Sequence, residues 1–429
     1  MSRKMTQCTP VLALVLLALP LLHTAVAMAA APVPVTAWFY AQTPAVAEWA
    51  KAYNAKFNAN NPDIALNFQV MPYDYMVTTV VVASAAGTGP DLCYYSANLI
   101  PNRIGQGLTL PLNRYLDAYP ERKDFIPDLF TSVSDGKGQI HAMPFAMWGI
   151  FDLYNTEVFA MNGVEIPDDW DSLLKATRKI TSYDSDGSIK AYGYAAMHHR
   201  TPAFYALHLA MEQLGKGLIS MGDTKADLDN ERGIRALTYL NDLWQAGMPD
   251  NNPNAHQLVN SMNGKVAVKG SATYDLLDVD PESTRGLEPR RTVGPTPGQD
   301  MVRYNAGTMY IVSTSKHPDE AWRVLVDFLS PENHASYIGA QVSYLPVRRS
   351  VLTKMSAIVK HPLAVKMANI MYPPMTTYGG VHTYWSDTFT PAGDLILSVL
   401  QGKRGTIGAL EEAERLMNTR LAEKLASEK

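Results

Sequence analysis

Cysteine is scarce in this chain of 429 residues, which contains only Cys8 and Cys93. Cys8 lies before the apolar core of a predicted leader, so the mature chain is expected to keep one thiol and no internal disulfide. A protein of this length without disulfides must depend on its hydrophobic core, and about 400 residues usually form more than one domain. Cys93 lies in an apolar segment, so we expect an inert, buried thiol and not a nucleophile.

Signatures of catalysis and of nucleic-acid binding are also missing. The sequence has no G-x-S-x-G, H-E-x-x-H, phosphate-binding or dinucleotide-binding glycine motif. The formal net charge is -4, which gives no basic footprint for a nucleic acid. Asp184-Ser185-Asp186-Gly187 has glycine in the fourth and not the sixth position, so it predicts a tight turn and not a calcium loop. We therefore expect no metal and no cofactor.

Long apolar runs are confined to the first thirty residues. Arg3 and Lys4 precede the apolar run of residues 11–22, and small residues with an A-x-A pattern follow at 25–27 and 27–29. This order is typical of a cleavable secretory signal, here residues 1–29. The run is shorter than the ~20 residues of a bilayer span, which disfavours the alternative of an uncleaved anchor. The sequence thus predicts a protein exported to the periplasm.

The rest of the chain alternates between strand and helix patterns. A strand over residues 34–40, an apolar helical stripe starting at Pro44 and an alternating strand over residues 64–70 predict a βαβ unit, and hence an α/β fold. Residues 279–301 read as a connection. Further strands are predicted at 92–95, 138–145, 149–155, 192–196 and 305–313, and further helices at 74–86, after 168, at 202–215 and 230–246, from 318, and at 406–427.

Six segments occur in the order found in bacterial extracellular solute-binding proteins of the maltose-binding type, and the chain resembles that family over nearly its whole mature length. The resemblance implies a periplasmic-binding-protein fold, with mixed sheets and flanking helices in two lobes and a ligand cleft at the hinge. The segments are Asn61-Pro62-Asp63-Ile64, Gly87-Thr88-Gly89-Pro90-Asp91-Leu92, residues 138–145 leading to Leu153-Tyr154-Asn155, Ile166-Pro167-Asp168-Asp169-Trp170-Asp171, residues 263–268, and Ala306-Gly307 before the helix at Pro318.

The same resemblance implies domain boundaries and a function. Residues 30–145 and 303–345 would form the N-terminal lobe, and residues 146–302 and 346–429 the C-terminal lobe. The chain would cross between lobes near residues 143–149, 300–305 and 343–348. The implied function is the capture of a sugar or related polar solute by a monomer, which delivers it to the membrane permease of an ABC importer. A sensory module presenting its ligand to a receptor would share this fold.

A sugar site needs aromatic planes for the C–H faces of the sugar and polar side chains for its hydroxyl groups. For each aromatic residue at a family cleft position, the alternative is packing in the core. The candidates that the resemblance gives are Tyr40, Gln42, Tyr94, Tyr95, Asn98, Trp148, Tyr274, Tyr384 and Trp385.

One cationic cluster suggests a different ligand. His198-His199-Arg200 precedes a predicted helix, whose free backbone N–H groups favour an anion. With Arg303 near a predicted crossing, this cluster could bind an anionic sugar or a polyol phosphate. A solvated loop is the alternative interpretation. A secreted carbohydrate-active enzyme also stays an alternative, because two carboxylates that meet only in three dimensions leave no motif.

Overall fold

The computed structural model describes residues 31–196, 198–219, 223–254, 265–273, 280–371, 375–377, 382 and 385–427. The strands are β1 (Val33–Phe39), β2 (Ile64–Val70), β3 (Leu92–Ser96), β4 (Met143–Asn155), β5 (Ser182–Tyr183), β6 (Ile189–Ala191), β7 (Val268–Ala272), β8 (Leu287–Arg290), β9 (Val302–Ile311) and β10 (Met375–Thr377). The helices are α1 (Pro44–Asn60), α2 (Tyr73–Ala85), α3 (Ile100–Gly105), α4 (Asn113–Leu116), α5 (Thr156–Met161), α6 (Trp170–Ile180), α7 (Arg200–Gln213), α8 (Glu231–Gly247), α9 (Pro318–Phe328), α10 (Pro331–Ala340), α11 (Arg349–Leu352), α12 (Met355–Ile358), α13 (Pro362–Ile370), α14 (Trp385–Leu400) and α15 (Thr406–Ser427).

The opening βαβ unit forms as the sequence predicts. The Thr43 hydroxyl accepts a hydrogen bond from the backbone of Val46 at 3.3 Å, and Pro44 occupies the first turn of α1, where its missing N–H costs nothing. The predicted stripe buries Val46 and Phe57 against the sheet. β1 and β2 then pair in parallel along seven residues, with Val33 opposite Ile64.

One continuous sheet runs through the molecule in the order β2-β1-β3-β9-β4-β7. β3 and β4 both pair antiparallel with β9, and β8 also pairs with β4. The first half of β4 pairs with β9, whereas its second half pairs with β7 and β8. β4 and β9 therefore connect the two halves of the sheet.

Three predicted elements differ in the structure. The strand predicted from residue 138 begins at Met143 and continues to Asn155 as one strand, with a bulge between Pro144 and Ala146. Residues 192–196 are not a regular strand but make isolated bridges, one of which joins Tyr192 to Val266. The predicted connection 279–301 contains β8, which pairs antiparallel with β4 and buries alternate residues.

The three predicted crossing segments lie side by side. Met147 on β4 exchanges backbone hydrogen bonds of 2.9 and 2.7 Å with Leu345, and β4 pairs with β9 at the same level. Arg348, however, binds Asp124 at 2.7 Å and the Leu329 carbonyl, so the chain still packs against the first half of the molecule there.

Candidate functional site

A tyrosine cluster lies where β1 and β3 end. The ring of Tyr73, at the start of α2, lies 5.5 Å from that of Tyr40 and 6.0 Å from that of Tyr94, between centroids. Tyr40 and Tyr94 are themselves 5.8 Å apart. The structure therefore brings together two of the predicted site residues, and it adds Tyr73, which the sequence prediction missed. Tyr40 and Tyr73 stay half-buried, while Tyr94 is buried.

Two neighbouring side chains pack against the Tyr95 ring. Tyr73 stacks on it at 6.5 Å with an interplanar angle of 15°, and the Arg103 guanidinium lies 4.3 Å from its centroid. Burial raises the pKa of the Tyr95 hydroxyl. Tyr94 is enclosed by Phe39 and Phe145 among others. In this conformation the rings of Tyr94 and Tyr95 pack as core groups, and Tyr40 and Tyr73 are the more accessible members of the cluster.

An amide cluster of Ser96, Asn98 and Asn305 adjoins these tyrosines. The Asn305 amide nitrogen donates to Ser96 Oγ and to Asn98 Oδ1, each at 3.0 Å. Its oxygen accepts from the backbone N–H of Asn98 at 3.3 Å and of Ala306 at 2.9 Å. The buried Asn305 amide is thus fully hydrogen-bonded, and it joins the end of β3 to β9. The predicted Asn98 is half-buried beside it.

The aromatic pair of Trp148 and Tyr344 lies next to the amide cluster. Trp148 is opposite Asn305 in the β4–β9 ladder. Its ring stacks on Tyr344 at 5.1 Å and 22° between planes, and the side chain of Trp148 remains half-buried. Tyr344 is a further residue that the prediction missed. Each of the three crossing segments contributes one side chain to this layer.

Gln42 extends this region from the end of β1. It is exposed, and its amide oxygen accepts a hydrogen bond of 3.1 Å from the Gln341 amide nitrogen. The same nitrogen donates to Ser343 Oγ at 2.8 Å. Gln42 is therefore tied to the segment that carries Tyr344. Five predicted residues, Tyr40, Gln42, Tyr94, Asn98 and Trp148, thus lie around one area where β1, β3, β4 and β9 meet.

Arg303 lies deeper, on the same face of β9 as Asn305 because side chains alternate along a strand. It is only 8% exposed and borders a cavity of about 60 Å³ whose lining includes Asp152, Tyr194 and Gln213. Burial raises the pKa of the Asp152 carboxyl to about 7, although the positive charge of Arg303 opposes the shift. Arg303 therefore faces a buried carboxyl group.

The side chains of His198, His199 and Arg200 each serve a local contact. The His198 ring hydrogen-bonds to Gln401, and His199 Nδ1 accepts from the backbone of Thr201 at 3.2 Å as the cap of α7. Arg200 lies 3.7 Å from Asp394. Burial, with the nearby Lys403 charge, lowers the pKa of His198.

Arg303 is far from this cationic cluster along α7. Its charge helps to hold down the pKa of Glu212, which burial alone would raise, and hydrogen bonds from His208 and Thr376 contribute in the same direction. Glu212 lies near the end of α7, about 18 Å along the axis from Arg200 at a rise of ~1.5 Å per residue. The structure therefore does not bring Arg303 and the cluster together around one anion site.

Three predicted residues are not placed by the structure. Tyr274 and Tyr384 lie outside the described residues, and Trp385 is described only as the first residue of α14. Within the described ranges, no three His, Cys, Asp or Glu side chains are arranged to hold a metal ion. No helix among those residues has the length and apolar character needed to cross a membrane. The predicted core position of Cys93 is confirmed: its side chain is buried, and burial raises the pKa of the thiol to about 12.

Comparison with known proteins supports the fold and the family. A relative from Brucella abortus (strain 2308), named as a binding protein, is 24% identical over 365 residues, which cover 83% of this chain and 86% of that protein. The structure of a sugar-binding protein from Xanthomonas citri superimposes with a TM-score of 0.78 at 17% identity, covering 91% of this chain and 98% of that one. An ABC transporter solute-binding protein from Agrobacterium radiobacter K84, solved in complex with ribitol, gives a TM-score of 0.69 at 19% identity, covering 90% and 98%.

These likenesses confirm the predicted mixed α/β fold, which matches that of two-lobed sugar-binding proteins. The sequence model of the family described as "Bacterial extracellular solute-binding protein" matches residues 52–366, which is most of the chain. The resemblance predicted from the six sequence segments is confirmed by this match. The chain belongs to the bacterial extracellular solute-binding protein family.

Proposed function

We propose that this protein is the periplasmic substrate-binding component of an ABC importer and that it captures a neutral sugar or polyol. The observation that carries the proposal is the meeting of the tyrosine cluster, the amide cluster and the Trp148–Tyr344 pair at the ends of β1 and β3. Aromatic rings suit the C–H faces of a sugar, and amides and hydroxyls suit its oxygen atoms. Relatives of the same fold include a sugar-binding protein and a ribitol complex, which supports this ligand class.

A neutral ligand fits better than an anion. At the start of α7, the His199 ring already accepts a hydrogen bond from the backbone of Thr201, and Arg200 faces Asp394. Arg303 faces Asp152 in a buried position. An anion near α7 would compete with the Asp394 carboxylate for Arg200, and an anion at Arg303 would have to enter a buried position beside the Asp152 carboxyl. The area around Asn98 and Trp148, in contrast, offers neutral hydrogen-bonding groups beside an aromatic ring.

Ligand capture would occur between two lobes that move about the crossing segments. The first lobe would contain residues 31–145 and 303 to about 358, and the second residues 146–302 and about 359–427. The pairing of β4 with different strands along its two halves supports the first two boundaries. The contacts of Arg348 with Asp124 support a third boundary that lies later in the chain than the predicted residue 345. Closure about such segments is a hinge motion, and the closed form would be the one that the permease recognises.

A thermal-shift screen tests the ligand class. The probes are maltose, maltotriose, ribitol, glucuronate and glycerol 3-phosphate, each titrated to millimolar concentration. A compound at a hundred times its dissociation constant adds about 2.7 kcal/mol to the free energy of unfolding, which shifts the melting temperature measurably. We expect a shift with a neutral probe and none with the two anions. A shift with the anions alone would refute the neutral class.

Two tryptophan variants locate the site. Trp148→Ala should weaken binding of the neutral probe at least tenfold by calorimetry, because it removes the ring beside the amide cluster. Trp322→Ala is the matched control, since Trp322, on α9, also stacks on a tyrosine, Tyr115, at 5.1 Å and 17°. Its other ring partner is Tyr119, which is not part of the proposed site. Equal loss of affinity in both variants would contradict the proposed location.

A further inference from the structure

The direction of the Asn305 amide is fixed by the backbone. Its oxygen accepts hydrogen bonds from the N–H groups of Asn98 and Ala306, at 3.3 and 2.9 Å. A backbone N–H can only donate, so the atom that faces these two groups must be the oxygen. The amide nitrogen of Asn305 must then face Ser96 and Asn98, where it lies 3.0 Å from each side-chain oxygen.

The orientation of the Asn305 amide determines that of the Asn98 amide. The Asn305 nitrogen can only donate, so Asn98 has to present its oxygen to it and turn its own NH₂ group away. In the same way Ser96 Oγ accepts from Asn305, which leaves the serine proton to donate elsewhere. Asn305 is only 5% exposed, so water does not offer an alternative partner that would allow other hydrogen-bond directions.

We infer that Asn305 is a positioning residue that determines specificity, because it makes Asn98 present its NH₂ group, a hydrogen-bond donor, to the ligand. The inference rests on the proposed function, in which Asn98 lines the sugar site. A sugar or polyol would accept a hydrogen bond on this side of the site through a lone pair of a hydroxyl or ring oxygen. A ligand group that offers only donors at this position, such as an ammonium group, would be rejected.

Asn305→Asp reverses the pattern without changing the size of the side chain. One carboxylate oxygen can still accept from the two backbone N–H groups, but the other is an acceptor facing Asn98. Asn98 is then expected to turn over, so that its NH₂ group donates to the carboxylate and its oxygen faces the ligand. Affinity for the neutral probe of the thermal-shift screen should fall about tenfold or more. A ligand oxygen that accepts from Asn98 in the parent, either a ring oxygen or a hydroxyl whose own proton is donated elsewhere, would then face the Asn98 oxygen.

Asn58→Asp is the matched control. The Asn58 amide also bonds to backbone in both directions, accepting from Leu66 N at 2.8 Å and donating to Leu66 O at 2.9 Å. It lies on α1 and bonds to β2, the edge strand, which β1 and β3 separate from β9. We expect this variant to bind the probe within about twofold of the parent. If Asn305→Asp binds as tightly as the parent, or if the control loses as much affinity, the inference is refuted.

A second measurement does not depend on any ligand. In ¹⁵N-edited spectra of the parent protein, the Asn98 NH₂ group should exchange its protons with water faster than the Asn305 NH₂ group. In Asn305→Asp, the Asn98 NH₂ exchange should slow, because the group has turned toward a carboxylate. This change supports the inference even if none of the sugars binds, in which case only the proposed ligand class fails. Unchanged exchange of the Asn98 group in the variant overturns the inference, even if the sugars bind.

Discussion

Replacing Asp152 by asparagine should remove a large part of the dependence of stability on pH. Asp152 lies on β4 beside the buried cavity, with a side chain only 4% exposed. Burial raises the pKa of its carboxyl from 3.8 to about 7, and the charge of Arg303 and a hydrogen bond from Thr292 offset only part of this shift. Asparagine has almost the same shape and carries no titrating proton.

The sign and size of the effect follow from proton linkage. Between about pH 4 and pH 7 the folded protein holds a proton on Asp152 that the unfolded chain has released, so the stability that this proton contributes falls as the pH rises. Below about pH 4 the contribution is complete, and above about pH 7 it is lost. One pKa unit corresponds to ~1.4 kcal/mol. Titration of this carboxyl should therefore lower the free energy of unfolding of the parent by about 3 kcal/mol between pH 5 and pH 8.

Urea unfolding at pH 5, 6.5 and 8 measures this contribution. The free energy of unfolding of Asp152→Asn minus that of the parent should rise by about 3 kcal/mol from pH 5 to pH 8, while all other titrating groups cancel in the difference. Asp184→Asn, in an exposed turn, should show no such rise. A difference between parent and Asp152→Asn that is the same at pH 5 and pH 8 would refute a protonated Asp152 in the folded state.

Three further variants test other parts of the fold. Gly193→Ala should lower the free energy of unfolding by about 2–3 kcal/mol in urea titrations, because its Cβ would lie 2.3 Å from the backbone oxygen of Thr177. His199→Ala should lower the free energy of unfolding by about 1 kcal/mol through loss of the α7 cap. Its affinity for a neutral sugar, measured by calorimetry, should not change. Arg348→Met should cost about 2 kcal/mol or more by urea unfolding, since Arg348 is buried and binds Asp124 at 2.7 Å.

Two of these variants have a matched control on the surface. Gly408→Ala, in α15 with open space around it, should stabilise the protein by up to about 1 kcal/mol. Arg420→Met breaks an exposed pair with Glu423 and should cost less than about 1 kcal/mol. An unchanged free energy of unfolding in Gly193→Ala would contradict the predicted clash with Thr177. A weaker sugar affinity in His199→Ala would contradict a purely capping role for His199. Equal losses of unfolding free energy in Arg348→Met and Arg420→Met would contradict the role given to the buried arginine.

Local patterning was sufficient to predict much of the fold. β2 was predicted with its exact bounds because Ile64, Leu66 and Phe68 alternate with exposed residues. β4 was predicted as two strands, 138–145 and 149–155, whereas it runs without interruption from Met143 to Asn155. In the structure Pro144 lies at a bulge, and a Cβ at Gly149 would lie 2.5 Å from the Met371 sulfur, so the methionine side chain would have to move. That contact joins residues far apart in the chain, so no local pattern could show it.

The site was predictable only in part for the same reason. Positions such as Tyr40 and Trp148 follow from resemblance to the family, and the structure places them in one area. Whether an aromatic ring is accessible to a ligand depends on which other elements pack against it. The Tyr95 ring, for example, contacts Tyr73 of α2 and Arg103 of α3. Asn305 gave no local signal, because its partners Ser96 and Asn98 precede it by about 200 residues.

The position of β9 in the middle of the sheet also has a consequence for how the chain reaches its native state. β1, β2 and β3 come from the first hundred residues, but β3 pairs with residues 307–311, which are synthesised and exported much later. Until β9 arrives, the apolar β3 is an open edge that can pair with another chain. Closing loops of about 200 residues is entropically costly, so we expect slow folding and a need for protection from aggregation during export. Variants that weaken the β3–β9 pairing should therefore reduce the yield of exported protein more than they reduce the stability of the molecules that fold.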